Sequence, residues 1–119
     1  MNKTTRILAV DDDDKILRVI EAMLIPHGYE VITAPDGEAA ISVMSIAKPN
    51  LVLMDIFMPK MDGYTALGKI KEDAATRDTP VVMVTAVGQE LNKQFAEGLG
   101  AAGYITKPFN FARFFFVIN

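Results

Sequence analysis

The chain has no cysteine at all and only one histidine, His27. Without cysteine neither a disulfide nor a thiolate metal site can form, and a lone histidine cannot build an imidazole-based one. Positive charge is also scarce: 12 lysines and arginines face 15 aspartates and glutamates, for a net charge of −3 and a pI near 5.0. A general nucleic-acid binder would be basic, so direct nucleic-acid binding is not expected. No apolar run approaches a membrane span, and Ile7 to Val10 is too short for a signal peptide before four acids follow. The expectation is a cytoplasmic protein with no membrane contact. Linkers, internal repeats and low-complexity tracts are missing too.

What remains is an ordinary globular composition, 50% hydrophobic and 23% charged over 119 residues, enough for one domain spanning 1–119. Arg6 to Val10 reads as a first strand. Ile16, Ile20, Met23 and Leu24 then recur at helical spacing, and Pro26-His27-Gly28 closes that helix. A second strand is expected over Tyr29 to Thr33, followed by a helix capped by Asp36 and running to Ala47. Leu51 to Met54 is continuously apolar, as a strand buried on both faces must be. Tyr64, Leu67 and Ile70 mark a third helix, and Val81 to Val84 a fourth strand. Leu91, Phe95 and Leu99 stripe a fourth helix, Gly103 to Ile105 form a short fifth strand, and a phenylalanine-rich segment ends the chain. Five alternating β-α units predict an α/β fold with a parallel sheet covered by helices on both faces.

Polar residues collect where these strands end: Asp11 and Asp12 after the first, Asp55 after the third, Thr85 after the fourth, Lys107 after the fifth. In a doubly wound sheet these ends share one edge, where ligands bind. Crowded carboxylates repel, and one would protonate unless a cation stood among them. Oxygen ligands without histidine or cysteine suit a hard cation, most simply Mg²⁺. Alone, Asp11 to Asp14 could cap a helix and Asp55 could be a turn residue. Together with the threonine and lysine they suit a phosphoryl group, and carboxylates do form aspartyl phosphates.

Val-Asp-Asp at 10–12, Asp-Ile-Phe-Met-Pro-Lys-Met-Asp-Gly at 55–63, Val-Thr-Ala at 84–86 and Lys-Pro-Phe at 107–109 resemble the receiver domain of two-component response regulators. The likeness runs from about Arg6 to Phe109. It implies a flavodoxin-like five-stranded sheet of order 2-1-3-4-5 with five helices, and Asp55 as phosphoacceptor. It also implies Mg²⁺ held by Asp11, Asp12, Asp55 and the Phe57 backbone carbonyl, with Thr85 and Lys107 on the phosphoryl oxygens and a cis Lys107-Pro108 bond. The donor would be a sensor histidine kinase or a phosphotransfer protein. Thr85 and Tyr104 would be the switch pair, changing the face made by the fourth helix, fifth strand and fifth helix, through which a homodimer could form. The protein would then be no enzyme acting on others but a switch catalysing its own phosphorylation and dephosphorylation. Phe57 and Val87, two residues past Asp55 and Thr85, flank the path of hydrolytic water in this family. Both are apolar, which predicts slow self-dephosphorylation.

Two rivals remain. A receiver fold could act as a binding module without phosphorylation, against which the intact acidic, threonine and lysine set counts. A small phosphatase forming an aspartyl phosphate would need a second acid where Phe57 stands. Two glycine patterns mislead. Gly63 to Lys69 nearly spells a P-loop, but Ile70 replaces the Mg²⁺-binding hydroxyl; Gly98 to Gly103 matches a dinucleotide pattern, but after a helix and before a strand. His27 suits a helix C-terminus. The tail from Asn110 to Asn119 departs from the family, with Arg113 its only charge and five apolar residues from Phe114 to Ile118. Only one face of it could pack on the sheet, and docking to an output partner, dimerisation or a longer chain bearing an output domain would each account for the rest.

Overall fold

The computed structural model describes residues 5–86, 93–107 and 110–118. Five parallel strands, β1 (Arg6–Val10), β2 (Glu30–Ala34), β3 (Leu51–Asp55), β4 (Val81–Ala86) and β5 (Gly103–Lys107), form one sheet in the order β2-β1-β3-β4-β5. The helices are α1 (Asp14–Leu24), α2 (Gly37–Ala47), α3 (Gly63–Glu72), α4 (Lys93–Gly98) and α5 (Phe111–Ile118). This is the expected flavodoxin-like arrangement.

Side chains alternate across the sheet and sort into two cores. Leu8, Val10, Val52, Met54, Val81 and Met83 pack under α2, α3 and α4, whose Met44, Leu67, Ile70 and Ala96 are buried. Ile7, Ala9, Leu51, Leu53, Val82, Val84 and Ile105 pack under α1 and α5, which contribute Leu17, Ile20, Leu24 and Phe114. All five residues of β3, at the centre, are buried, which is why its sequence shows no polar alternation.

Several elements differ from expectation. The second strand begins one residue late, because Gly28 at φ 91° closes a short 3-10 turn and the Tyr29 N–H still reaches back to the Leu24 carbonyl. Strands three, four and five run past their apolar cores to Asp55, Ala86 and Lys107; a parallel ladder continues as long as its neighbour supplies hydrogen bonds, whatever the side chain. On the first helix the buried face is Leu17, Ile20 and Leu24, with Ile16 and Met23 flanking it.

The expected stripe on the fourth helix is corrected. Leu91 lies outside the described residues, Leu99 stands beyond the helix end, and Phe95 is half exposed. Ala96 is the residue of α4 that packs in the core instead. In α5, Phe114 is fully buried while Phe115 and Phe116 are exposed, Phe116 to 75%. His27 Nδ1 lies 3.0 Å from the Met23 carbonyl, at a helix end as expected, and its ring also stacks on Phe111 at 3.6 Å and 4°.

Candidate functional site

Alternation decides which side chains meet at the carboxyl edge. In β1 and β3 the residues two before Asp11 and Asp55 are Ala9 and Leu53; in β5 the residue two before Lys107 is Ile105. All three belong to the core under α1 and α5. Asp11, Asp55 and Lys107 therefore rise on the same side of the sheet edge. Asp11 and Asp55 are buried, Asp55 to 5% exposure, and the outer carboxylate, Asp12, is exposed. One oxygen from each of Asp11, Asp12 and Asp55 falls within 4.8 Å of the others. Lys107 Nζ reaches into this group, 2.6 Å from Asp11 Oδ2 and 3.3 Å from Asp55 Oδ1.

The four consecutive acids divide their work. Asp11 and Asp12 face the cluster, and the Asp13 N–H donates to Asp11 Oδ1 at 2.9 Å. Asp13 caps α1 by accepting the Lys15 N–H, and Asp14 pairs with Arg18 one turn on, at 2.9 Å. The capping explanation thus accounts for one acid of the four.

Electrostatics marks Asp55 as the unusual member. Burial, and then the neighbouring Asp11 charge, push its carboxyl from 3.8 up to about 6, against the pull of Lys107. Burial works against the Lys107 charge, yet its hydrogen bond and attraction to Asp11, followed by Asp55, hold the ammonium above its ordinary range. One lysine leaves three carboxylates under-compensated. An all-oxygen group of this charge fits a hard divalent cation.

Thr85 and Tyr104 lie on the other face. Thr85 follows Met83 by two residues and Tyr104 registers with Met83, so both belong to the side covered by α2, α3 and α4. Thr85 is buried, and its Oγ1 has no hydrogen-bond partner among the described residues. Tyr104 is partly buried against the core. Phe57 stands two residues past Asp55 with its ring half exposed, while Val87 and the Lys107-Pro108 bond lie outside the described residues.

Sequence reasoning missed one contact here. The Gly63 N–H donates to the Ile56 carbonyl at 2.7 Å, and a Cβ on Gly63 would lie 2.2 Å from the Asp55 carbonyl oxygen. The first residue of α3 rests directly on the Asp55 peptide, which only glycine permits. An Asp-Gly pair opening a helix shortly after a buried acidic strand end was the available signal. The two misleading glycine patterns are also explained: Gly63 and Gly68 both lie within α3, whereas Gly98 ends α4 and Gly103 opens β5.

A doubly wound parallel sheet whose carboxyl edge carries three clustered aspartates, a lysine and a buried threonine defines a flavodoxin-like α/β domain with an acidic edge. The model of the response regulator receiver domain matches residues 7–119, and the chain belongs to that family, the receivers of two-component signalling. It is 41% identical over 105 residues to the probable transcriptional regulator ycf27 of Cyanophora paradoxa, aligning 88% of this chain with 43% of that protein. It is 40% identical over 105 residues to the response regulator PleD of Caulobacter vibrioides, with 88% of this chain and 23% of PleD covered. The chain thus spans less than half the length of these curated relatives. Among solved structures, the chemotaxis protein CheY4 of Vibrio cholerae superposes with a TM-score of 0.89 at 30% identity, covering 97% of this chain and 96% of CheY4. Among the described residues, no helix is long and apolar enough to cross a membrane.

Proposed function

We propose that Asp55 accepts a phosphoryl group and that residues 1–119 act as one receiver unit, with its working motifs between about 6 and 109. The observation that carries this reading is Asp55 itself: buried, with its carboxyl pushed up to about 6, and surrounded by Asp11, Asp12 and the Lys107 ammonium. An Asp55 Oδ attacks the phosphorus of a phosphohistidine on a sensor histidine kinase or phosphotransfer protein. The P–N bond breaks, the electron pair leaves with the imidazole, and an acyl phosphate forms. Asp11, Asp12, Asp55 and the Phe57 backbone carbonyl hold Mg²⁺, which when bound neutralises charge on the phosphoryl oxygens. Lys107 and the Thr85 hydroxyl bind those oxygens, so the chain supplies alignment and charge, which is most of what phosphoryl transfer needs.

The buried Thr85 hydroxyl, without a partner among the described residues, supports the switch reading, since such a donor gains a hydrogen bond when new oxygens arrive. Thr85 moves toward Asp55, Tyr104 on the same face follows, and the surface formed by α4, β5 and α5 changes. That surface serves a downstream partner, an appended output domain or a homodimer. We place the protein in the cytoplasm, acting without direct nucleic-acid or membrane contact, as a switch that catalyses its own phosphorylation and dephosphorylation. With apolar Phe57 and Val87 beside the water path, the acyl phosphate hydrolyses slowly, and its half-life should shorten in Phe57→Asn, Val87→Glu.

The test is intact mass after incubation with acetyl phosphate, with Mg²⁺ or with EDTA, for wild type and Asp55→Asn. A gain of one phosphoryl mass that needs both Mg²⁺ and Asp55 is expected. No adduct in wild type would favour the unphosphorylated binding module. An adduct that transfers rapidly to water from many phosphomonoesters would favour the phosphatase.

A further inference from the structure

The rings of Tyr64 and Phe95 meet edge to face, with centroids 5.1 Å apart at 79°. Tyr64 is the second residue of α3 and Phe95 the third of α4. Tyr64 follows directly on Gly63, whose N–H donates to the Ile56 carbonyl and on which a Cβ would strike the Asp55 carbonyl oxygen. The Asp62 side chain caps the same turn by accepting the Thr65 N–H at 2.9 Å. The start of α3 is therefore keyed to the Asp55 peptide, and Tyr64 is the next residue along the chain. On the other side, α4 is held to the core by one buried side chain among its described residues, Ala96. Helices with so little buried surface are drawn from the mobile end of a fold.

We propose that Tyr64 and Phe95 are positioning residues of the acceptor site, joining α4 to the Asp55 peptide through Gly63, along a route separate from Thr85 and Tyr104. The inference rests on Asp55 as phosphoacceptor. Neither ring touches the reacting atoms. Their contact fixes where α3 begins, and α3 fixes the carbonyl end of Asp55, where displacements of a fraction of an ångström are costly in rate. Because coupling is reciprocal, anything that seats against the exposed part of Phe95 also changes how readily Asp55 is phosphorylated, and phosphorylation changes what α4 presents.

The experiment compares wild type, Phe95→Leu, Phe95→Tyr, Tyr64→Leu and the double variant Tyr64→Leu, Phe95→Leu. It reads the rate of the acetyl phosphate adduct by mass and the affinity for beryllium fluoride with Mg²⁺ by NMR titration. Phe95→Leu should slow the adduct and weaken beryllium fluoride about three- to tenfold, the span an aromatic pair supplies. Phe95→Tyr, which keeps the ring, should stay within about twofold of wild type. The double variant should be no worse than the poorer single one, as for two residues acting through one contact. A Phe95→Leu protein that melts lower but reacts at the wild-type rate would overturn the proposal, as would additive losses. Failure of wild type to take up phosphate would instead remove the Asp55 reading on which it stands.

Discussion

Lys107 lies closer to Asp11 than to Asp55: its Nζ is 2.6 Å from Asp11 Oδ2 and 3.3 Å from Asp55 Oδ1. The lysine ties the residue just past β1 to the last residue of β3, and its charge sits among the carboxylates that a divalent cation would also neutralise.

Lys107→Ala separates those two roles. Removing one positive charge a few ångströms from the carboxylates should tighten Mg²⁺ binding by about three- to tenfold. The same change should slow acetyl phosphate labelling by about ten- to a hundredfold, because the developing phosphoryl charge loses a fixed partner. Mg²⁺ titration by NMR and labelling by mass measure the two effects independently. Unchanged Mg²⁺ affinity would show that the lysine charge is not coupled to the acidic pocket.

The raised carboxyl of Asp55 makes a statement about stability. Folding lifts it from 3.8 to about 6, so the native state favours the protonated acid and the ionised one opposes folding. The cost is absent at low pH, grows between the two values and is complete above about 6, on the order of 3 kcal/mol. In EDTA at pH 7.5, Asp55→Asn should be more stable than wild type by about 1–3 kcal/mol, and at pH 4 the gap should close. Denaturant melts at both pH values read this directly, and an equal gap at both would contradict it.

Thr85→Val tests the orphaned hydroxyl. Replacing a buried group that has no partner among the described residues by an apolar group of the same shape costs little, so melting without ligand should match or exceed wild type. Addition of Mg²⁺ and beryllium fluoride should then raise the melting temperature less than in wild type, because the hydroxyl that would bind the new oxygens is gone. An equal rise in both proteins would place Thr85 outside the switch.

Two glycines of α3 predict opposite outcomes. A Cβ on Gly63 would strike the Asp55 carbonyl, so Gly63→Ala should lose about 3 kcal/mol or fail to fold. A Cβ on Gly68 meets nothing within 4 Å, so Gly68→Ala should gain about 0.5–1 kcal/mol from helix propensity alone. Thermal melts distinguish the pair, at about 4 °C per kcal/mol for a domain of this size.

Strand order, the two-faced sheet and the residues at its carboxyl edge were legible because each has a local signature. Continuous apolar runs mark strands buried on both sides, right-handed crossovers limit their order, and the acids stand where those runs end. Leu91, Phe95 and Leu99 misled because helical spacing says that a stripe exists but not how long its helix is or which of its residues meets the core. Ala96, too small to count as a hydrophobic signal, carries that contact. The stacking of His27 on Phe111, 84 positions later, had no signature either, since nothing local relates a helix end to a distant aromatic.

By itself the sequence determined the fold class, the family likeness and the identity of the polar residues at the strand ends, all of which follow from composition and short-range pattern. Tertiary structure alone decided that Asp11, Asp55 and Lys107 share one side of the sheet edge while Thr85 joins Tyr104 on the other. It alone decided that Asp13 caps α1 while Asp11 stays in the cluster, and that Gly63 touches Asp55. These depend on strand register and on the distance at which elements pack. Those are set by the mutual fit of five strands and five helices, a property that no stretch of chain possesses before the rest has folded around it.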